Sequence, residues 1–492
     1  MRAAARAAWA VAAAAAWLLR GGGGVAAALN LSALEESRVY PRDAHKGRLF
    51  GHTVVMSSAG DVVAAGALDY EYDNILAGAV YVFRWDGAAW DEAKIKPSDA
   101  DVQWNNDMLF GSALAMDAEG KVLVVGAPYH TPEPGDSDWP GAVYVFERHG
   151  ENSWEETAFF PAEVPGPSSV ALGMGGSLSM NAQGDRFITC QDFFIEDENL
   201  FEEVSSLLFI FEKDHGTGLW NYTKMILDQA SNLVGFEVAL SGDGTIMGFT
   251  ATNAIHLWHE TGTNQWEQHI LDLTNVTSEE FQPYYSGIAL NHDGTVLASV
   301  SSYEILAFRR EGDIWDVDHV EAFPNTSSYF RRPIVSINSQ GTYIATKVPE
   351  NPINIQADGV VLEYVEEEET WALHLLGDAY ERDFSDVDLS DSDPPKLVFG
   401  YAVASDRVED EGALYIYTTP EPPATAPTYL YVIAAGGLVC LFAVIGLLYR
   451  QERQRLPSIS FNIEKFPKVI TLKPQESADP ASPPNVVRPI EI

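Results

Sequence analysis

An all-β, seven-bladed β-propeller, followed by one transmembrane helix and a disordered tail, is the fold class these 492 residues predict. Three observations predict it. Short β-rich runs recur in a fixed register along residues 30–420, an uncharged stretch of 21 residues stands at 429–449, and a proline-rich segment without apolar period ends the chain.

Residues 1–28 read as a secretory signal peptide. Arg2 and Arg6 charge its start, Ala7 to Leu19 form an apolar run, and Ala26-Ala27-Ala28 offers a small-residue cleavage site. At ~1.5 Å per residue that run spans only ~20 Å, short of a bilayer core of ~30 Å.

Residues 29–420 carry the repeat. Leu49-Phe50-Gly51, Met56 to Gly60, Val62 to Ala67 and Gly78-Ala79-Val80-Tyr81-Val82-Phe83 are echoed by Leu109-Phe110-Gly111, Met116 to Gly120, Val122 to Pro128 and Gly141-Ala142-Val143-Tyr144-Val145-Phe146. A turn glycine recurs at Gly60, Gly120, Gly184, Gly244, Gly294 and Gly341. An aromatic closes a β-rich run at Phe83, Phe146, Phe211, Trp258, Phe308 and Tyr364, and a tryptophan follows each 7 to 9 residues later, from Trp90 to Trp371. A seventh unit emerges when Gly400 is aligned with Gly66 and Gly412 with Gly78. Its first strand is then Phe384 to Leu389, Asp393-Pro394 replaces the turn glycine, and Leu414 to Tyr417 is its third strand. The missing fourth strand is expected at the N-terminus, where Val39-Tyr40-Pro41-Arg42-Asp43 mirrors Ile95-Lys96-Pro97-Ser98-Asp99. Small four-stranded sheets cannot bury both faces alone; radial stacking covers them, and closure by the first strand protects the last blade's edge.

A Pro-rich linker (421–428) leads into the expected transmembrane helix, 429–449. Arg450, Arg453 and Arg455 follow at once while the preceding flank is not basic, so the tail, 450–492, is expected in the cytosol. The protein should then be a single-pass type I membrane protein, at the plasma membrane or an endomembrane, with the propeller extracellular or lumenal. Sequons at Asn30, Asn221, Asn275 and Asn325 all fall on that side. Cys190 is the one cysteine outside the span, so no intrachain disulfide is expected in the propeller.

Charge excludes one partner class. The chain has 30 Lys+Arg against 71 Asp+Glu, a net charge of −41. Nucleic acid would need a basic stripe that is not there.

Phe50-Gly51, Phe110-Gly111, Gly126-Ala127-Pro128 and the two Gly-Ala-Val-Tyr-Val-Phe runs resemble the FG-GAP repeats of integrin α-subunit propellers. Units 1 and 2 match well and unit 7 fairly; units 3 to 6 keep the skeleton without the Gly-Ala-Pro. The resemblance implies a ligand bound on one rim, with cell-surface recognition or adhesion as its usual purpose. The chain departs from the family at its first turns. Ser58-Ala59-Gly60, Ala118-Glu119-Gly120, Gly242-Asp243-Gly244 and His292-Asp293-Gly294 lack the clustered oxygen ligands that calcium wants, so neither metal nor cofactor is expected there.

No enzyme is expected. Gly173-Met174-Gly175-Gly176-Ser177 lacks the third glycine of a phosphate loop and stands where other units start. His256 and His259 fall on opposite faces of a strand and cannot share an ion. What remains is a ligand-binding rim. The segments between second and third strands of units 1, 2, 3 and 7 are long and acidic, with aromatics interleaved. They hold Asp69, Glu71 and Asp73; Asp136, Asp138 and Trp139; Glu196 and Asp197; Glu409 and Asp410. Aromatics beside charges suit recognition of a protein or glycan. A lumenal assembly or trafficking factor, using the propeller as a protein-binding scaffold, is the competing expectation.

Overall fold

The structure is a computed structural model. It describes residues 34–418 apart from 44–48, 73–74, 100–107, 132–138, 163–168, 198–199, 228–236, 252–253, 263–264, 274–275, 277–286, 301–303, 323–333, 348–358, 367, 377–383 and 403–411. Among the described residues there is no helix long and apolar enough to cross a membrane. The signal peptide, linker, expected span and tail, and Asn30, Asn275 and Asn325, lie outside them.

Seven antiparallel blades form the propeller. Strand β1 (Glu35–Val39) comes first. Blade 1 is β2 (Phe50–Met56), β3 (Val62–Ala67), β6 (Ala79–Trp85) and β7 (Trp90–Ile95), with the two-residue strands β4 (Glu71–Tyr72) and β5 (Ile75–Leu76) paired between β3 and β6. Blade 2 is β8 (Leu114–Met116), β9 (Val122–Ala127), β10 (Trp139–His149) and β11 (Ser153–Pro161). After β12 (Ser169–Met174), blade 3 is β13 (Leu178–Met180), β14 (Arg186–Asp197), β15 (Leu200–Lys213) and β16 (Trp220–Leu227). Blade 4 is β17 (Val238–Leu240), β18 (Ile246–Ala251), β19 (Ala254–Gly262) and β20 (Gln265–Asp272). Blade 5 is β21 (Gly287–Leu290), β22 (Val296–Val300), β23 (Glu304–Glu311) and β24 (Ile314–Ala322). Blade 6 is β25 (Val335–Ile337), β26 (Tyr343–Lys347), β27 (Gly359–Val365) and β28 (Thr370–Leu376). Blade 7 is β29 (Asp386–Leu389), β30 (Leu397–Tyr401) and β31 (Ala413–Thr418), completed by β1, which runs antiparallel to β31 from Glu35 opposite Thr418 to Val39 opposite Leu414.

The N-terminal closure read from the sequence is therefore the one adopted. The first strand of blade 7 is shorter than expected: it begins at Asp386, because the buried Phe384 packs on Phe399 before the strand starts. The core lies between blades, where facing second and third strands bury Val, Ile, Leu and Phe on both sides.

One repeated device sets the first turn of every blade. Ser57, Asp117, Asn181, Ser241, Asn291, Asn338 and Ser390 each accept, on a side-chain oxygen, the backbone N–H of Val62, Val122, Arg186, Ile246, Val296, Tyr343 and Lys396, at 2.7–3.0 Å. Three residues on, Gly60 to Gly341 hold φ between 61° and 77°, the left-handed region that glycine enters without strain.

Neighbouring turns then bond to one another. Ser58 N–H donates to Ala118 O (3.0 Å), Ala118 to Ala182 (3.1 Å), Ala182 to Gly242 (2.7 Å), Asp243 to His292 (2.7 Å) and His292 to Ser339 (3.1 Å). Ser339 N–H donates to Asp391 Oδ1 (2.6 Å), and Asp391 N–H returns to Ser58 O (2.8 Å). The circuit closes after seven links, and it forms a collar at one end of the channel.

At the Gly66 position of that register stand Gly126, Cys190, Thr250, Val300, Lys347 and Gly400 in blades 2 to 7. Where the position is glycine, the next blade's backbone comes very close. A Cβ on Gly66 would lie 2.2 Å from Gly111 O, on Gly126 1.9 Å from Gly175 O, and on Gly400 2.1 Å from Gly51 O. Phe50-Gly51, Phe110-Gly111 and Met174-Gly175 are thus wedges between backbones at the seams 7/1, 1/2 and 2/3. Gly175 takes the Gly111 role with φ 86°, as expected of a degenerate unit start rather than a phosphate loop.

Candidate recognition face

Strands alternate in direction along each blade, so first-to-second turns leave one face of the disc and second-to-third segments leave the other. The collar occupies the turn face. The circular order makes blades 7, 1, 2 and 3 consecutive, so the described ends of their second-to-third segments share one arc of that face.

Two staples hold the floor of that arc. Asp99, following blade 1, accepts the Tyr144 hydroxyl (2.8 Å) and meets His130 Nε2 (2.8 Å) on blade 2. Asp43, following β1, accepts Tyr81 (2.6 Å), Tyr70 (3.1 Å) and the Lys94 ammonium (2.6 Å) on blade 1. The sequence mirror between Asp43 and Asp99 is thus a mirror of roles. Burial would raise the Asp43 carboxyl, but Lys94 and Tyr81 outweigh it and hold the group at about 2. Asp99 is held low in the same way by His130 and Tyr144 against its burial, and burial beside that carboxylate pushes the Tyr144 phenol far up. Both carboxylates tie the segment after an outer strand to the blade beside it.

Above the floor, Trp139 at the head of β10 is 50% exposed and Tyr129 is 44% exposed. Their rings lie 5.5 Å apart at 31°. Phe159 is exposed nearby, 4.7 Å from the Tyr144 ring. Large aromatics so exposed on a confined patch are a usual mark of an interaction surface.

Beside them stands a wall that the sequence reading placed as an acidic loop. Glu196 and Asp197 belong to β14, whose pairing with β15 continues to Asp197 opposite Leu200. The β-forming runs Phe193-Phe194-Ile195 and Leu200 to Val204 lie on the two arms, with Phe194 opposite Val204 and Glu196 opposite Phe201, so pairing extends the hairpin instead of opening a loop. Strand β12 adds to β14 and also runs parallel to β10 through Trp139 opposite Leu172 and Gly141 opposite Met174, joining blades 2 and 3.

Of the other expected rim residues, Asp69 is half-buried at the end of blade 1's second strand and Glu71 is exposed on β4. Asp73, Asp136, Asp138, Glu409 and Asp410 lie outside the described residues. Asn221 is exposed on β16, an outer edge strand. Tyr129 was not singled out by the sequence, although its place directly after Gly126-Ala127-Pro128 was a usable signal. His256 and His259 do face opposite sides: His256 stacks on Phe249 at 5.2 Å, while His259 meets Arg310 (3.2 Å) and His269. Burial, Arg310 and His269 hold His259 down at about 4.

A channel of about 640 Å³ runs between the first strands of all seven blades. Its carboxylates are engaged with the wall. Asp386 Oδ2 accepts Val54 N–H (2.8 Å), Asp388 Oδ2 accepts Met56 N–H (2.7 Å), and Glu237 accepts the Ser177 hydroxyl (3.1 Å). The turn carboxylates Asp243 and Asp293 are spent likewise on Thr245 and Thr295. Among the described residues, no group of three or more His, Cys, Asp or Glu is placed to hold a metal ion.

No protein-family model and no curated protein matches the chain. Solved structures do. The Myceliophteria thermophila Cps50 (Swd1) β-propeller domain is similar at 10% identity, over 78% of this chain and 99% of that one, with a TM-score of 0.45. Saccharomyces cerevisiae Sqt1 is similar at 10% identity, over 78% and 98%, with a TM-score of 0.44. The Pseudomonas aeruginosa periplasmic gluconolactonase PpgL is similar at 12% identity, over 66% and 85%, with a TM-score of 0.44. These likenesses concern the propeller architecture alone.

Proposed function

We propose that the protein is a single-pass type I membrane glycoprotein, integrin-α-like in its FG-GAP units, whose propeller binds a protein or glycan ligand on the loop face of blades 7, 1, 2 and 3. One observation carries the reading. The four units with long acidic segments are neighbours in the ring, and the exposed Tyr129–Trp139 pair sits within their arc. The opposite face is spent on the collar. Binding there, rather than catalysis, is the role proposed.

The test combines topology and ligand capture. In cells expressing the tagged full chain, N-glycosidase should lower the mass and external protease should spare the 450–492 tail. Loss of the tail with membranes intact would overturn the orientation. Imaging the same tag separates the cell surface from internal membranes; retention inside would favour the lumenal assembly factor.

A further inference from the structure

We propose that the seam between blades 4 and 5 is a binding site for a phosphate or sulfate group, built on Arg310, His259 and His269. The inference is independent of what the loop face binds. Past the closing aromatics Phe146, Phe211, Trp258 and Phe308, the next residue of one blade meets the next but one of the following blade. At seam 2/3 this register sets Glu147 against Lys213, whose ammonium donates to Oε1 at 2.8 Å. At seam 3/4 it brings Glu212 and Glu260 onto Arg186, and every guanidinium nitrogen of Arg186 is bonded to them or to Gly244 O. At seam 4/5 the same two places hold His259 and Arg310, so the acid of the other seams is missing.

Arg310 Nη1 donates to His259 Nδ1 (3.2 Å), and its guanidinium carbon lies 5.9 Å from the Trp315 ring centroid. Among the described residues, nothing accepts its remaining guanidinium N–H groups. Two acids stand near without pairing. Glu267 is opposite His259 on β20 and Asp313 is in the hairpin after β23, yet neither forms an ion pair with Arg310. In a chain of net charge −41, a half-buried guanidinium left without an acid is a place for an anion from outside.

The imidazoles supply further donors. Because Arg310 donates to Nδ1, the proton of neutral His259 sits on Nε2, which is buried and has no acceptor. Burial, with Arg310 and His269 beside it, keeps that ring neutral. The same tautomer excludes a metal ion on His259, since neither nitrogen has a free lone pair. The His269 ring lies 4.5 Å from that of His259, and among the described residues it has no hydrogen-bond partner. A guanidinium fork and two imidazoles, carried by three strands, suit an anion with three or more oxygens better than a carboxylate with two. All three residues are half-buried, toward the hairpin ends of blades 4 and 5, where the seam opens between the outermost strands β20 and β24.

The test uses the full-length protein in detergent at pH 7, with melting temperature read in phosphate, sulfate, acetate and chloride at equal ionic strength. The wild type should gain about 2 °C over chloride, saturably, at ten times the Kd of phosphate or sulfate; the ion that saturates lower identifies the group. Arg310→Gln removes the fork. His259→Glu gives seam 4/5 the acid that Glu147 supplies at seam 2/3, so it should melt above the wild type in chloride. Neither variant should keep the gain. An equal rise in all three proteins is the general stabilising effect of excluded ions and overturns the site. So does no rise at all, or the same saturable rise in acetate. Should Arg310→Gln not fold, His259→Glu decides alone: a gain in phosphate that survives the internal ion pair refutes the proposal.

Discussion

Replacing Gly126 by alanine isolates the wedge that joins blades 2 and 3. The added Cβ would lie 1.9 Å from Gly175 O and 2.7 Å from its carbonyl carbon, against ordinary contacts of about 3.5–4.0 Å. Gly126 is not in the left-handed region, so the cost is steric alone. The obstacle is backbone, not a side chain that could turn aside, and Gly175 N–H is itself tied to Thr189 Oγ1 (3.1 Å). The two blades must part by more than an ångström at a seam closed in a ring. Overpacking that side chains can absorb costs about 1–3 kcal/mol, so about 3 kcal/mol or more is expected here. Gly150→Ala is the control: its φ is 74° but nothing lies within 4 Å, which leaves about 1–2 kcal/mol of backbone strain. Urea unfolding followed by tryptophan fluorescence reads both. A Gly126→Ala protein within about 0.5 kcal/mol of wild type, or more stable than Gly150→Ala, would refute the wedge.

Deleting residues 29–43 removes β1 from β31 and Asp43 from Tyr81, so the chain should aggregate; a soluble, normally exported product with an unchanged melting temperature would refute closure. Asp43→Asn should destabilise at pH 7, and because the folded value of about 2 lies below the unfolded one, the difference should vanish as pH falls through 2; a constant difference across a pH series would contradict the Lys94 pairing. Adding a chelator should barely move the melting temperature, since Asp243 and Asp293 are spent on their own turns; a large drop would reveal a required cation.

The ring was legible because its cause is local and repeated. Turn glycines, closing aromatics and following tryptophans each occupy one position per blade, and the Gly66–Gly400 alignment located blade 7 and its borrowed strand. What escaped was whatever depends on a neighbour distant in sequence. The Ser57-to-Ser390 series lay in plain view as Ser, Asp or Asn three residues before most turn glycines, yet its purpose needs the second strand's N–H. Asp386 and Asp388 look like surface acids in Asp386-Val387-Asp388-Leu389; only circular closure sets Val54 and Met56 against them. In the same way the purpose of Gly66, Gly126 and Gly400 shows only across the seams, where the next blade's backbone leaves no room for a Cβ. At the candidate site, Trp139 was legible as an aromatic among acids. Its partner Tyr129 was not, because a masking run of prolines and acids separates the two in sequence while the third strand returns to bring them together.

The most direct test of recognition by the loop face is site-specific photo-crosslinking in cells expressing the full chain. A photoreactive residue at Trp139 or Glu71 should form covalent adducts with a ligand, and one at Ala118 or His292 in the collar should form none. Adducts from the collar positions with none from Trp139 or Glu71 would place recognition on the wrong face of the disc and contradict the account.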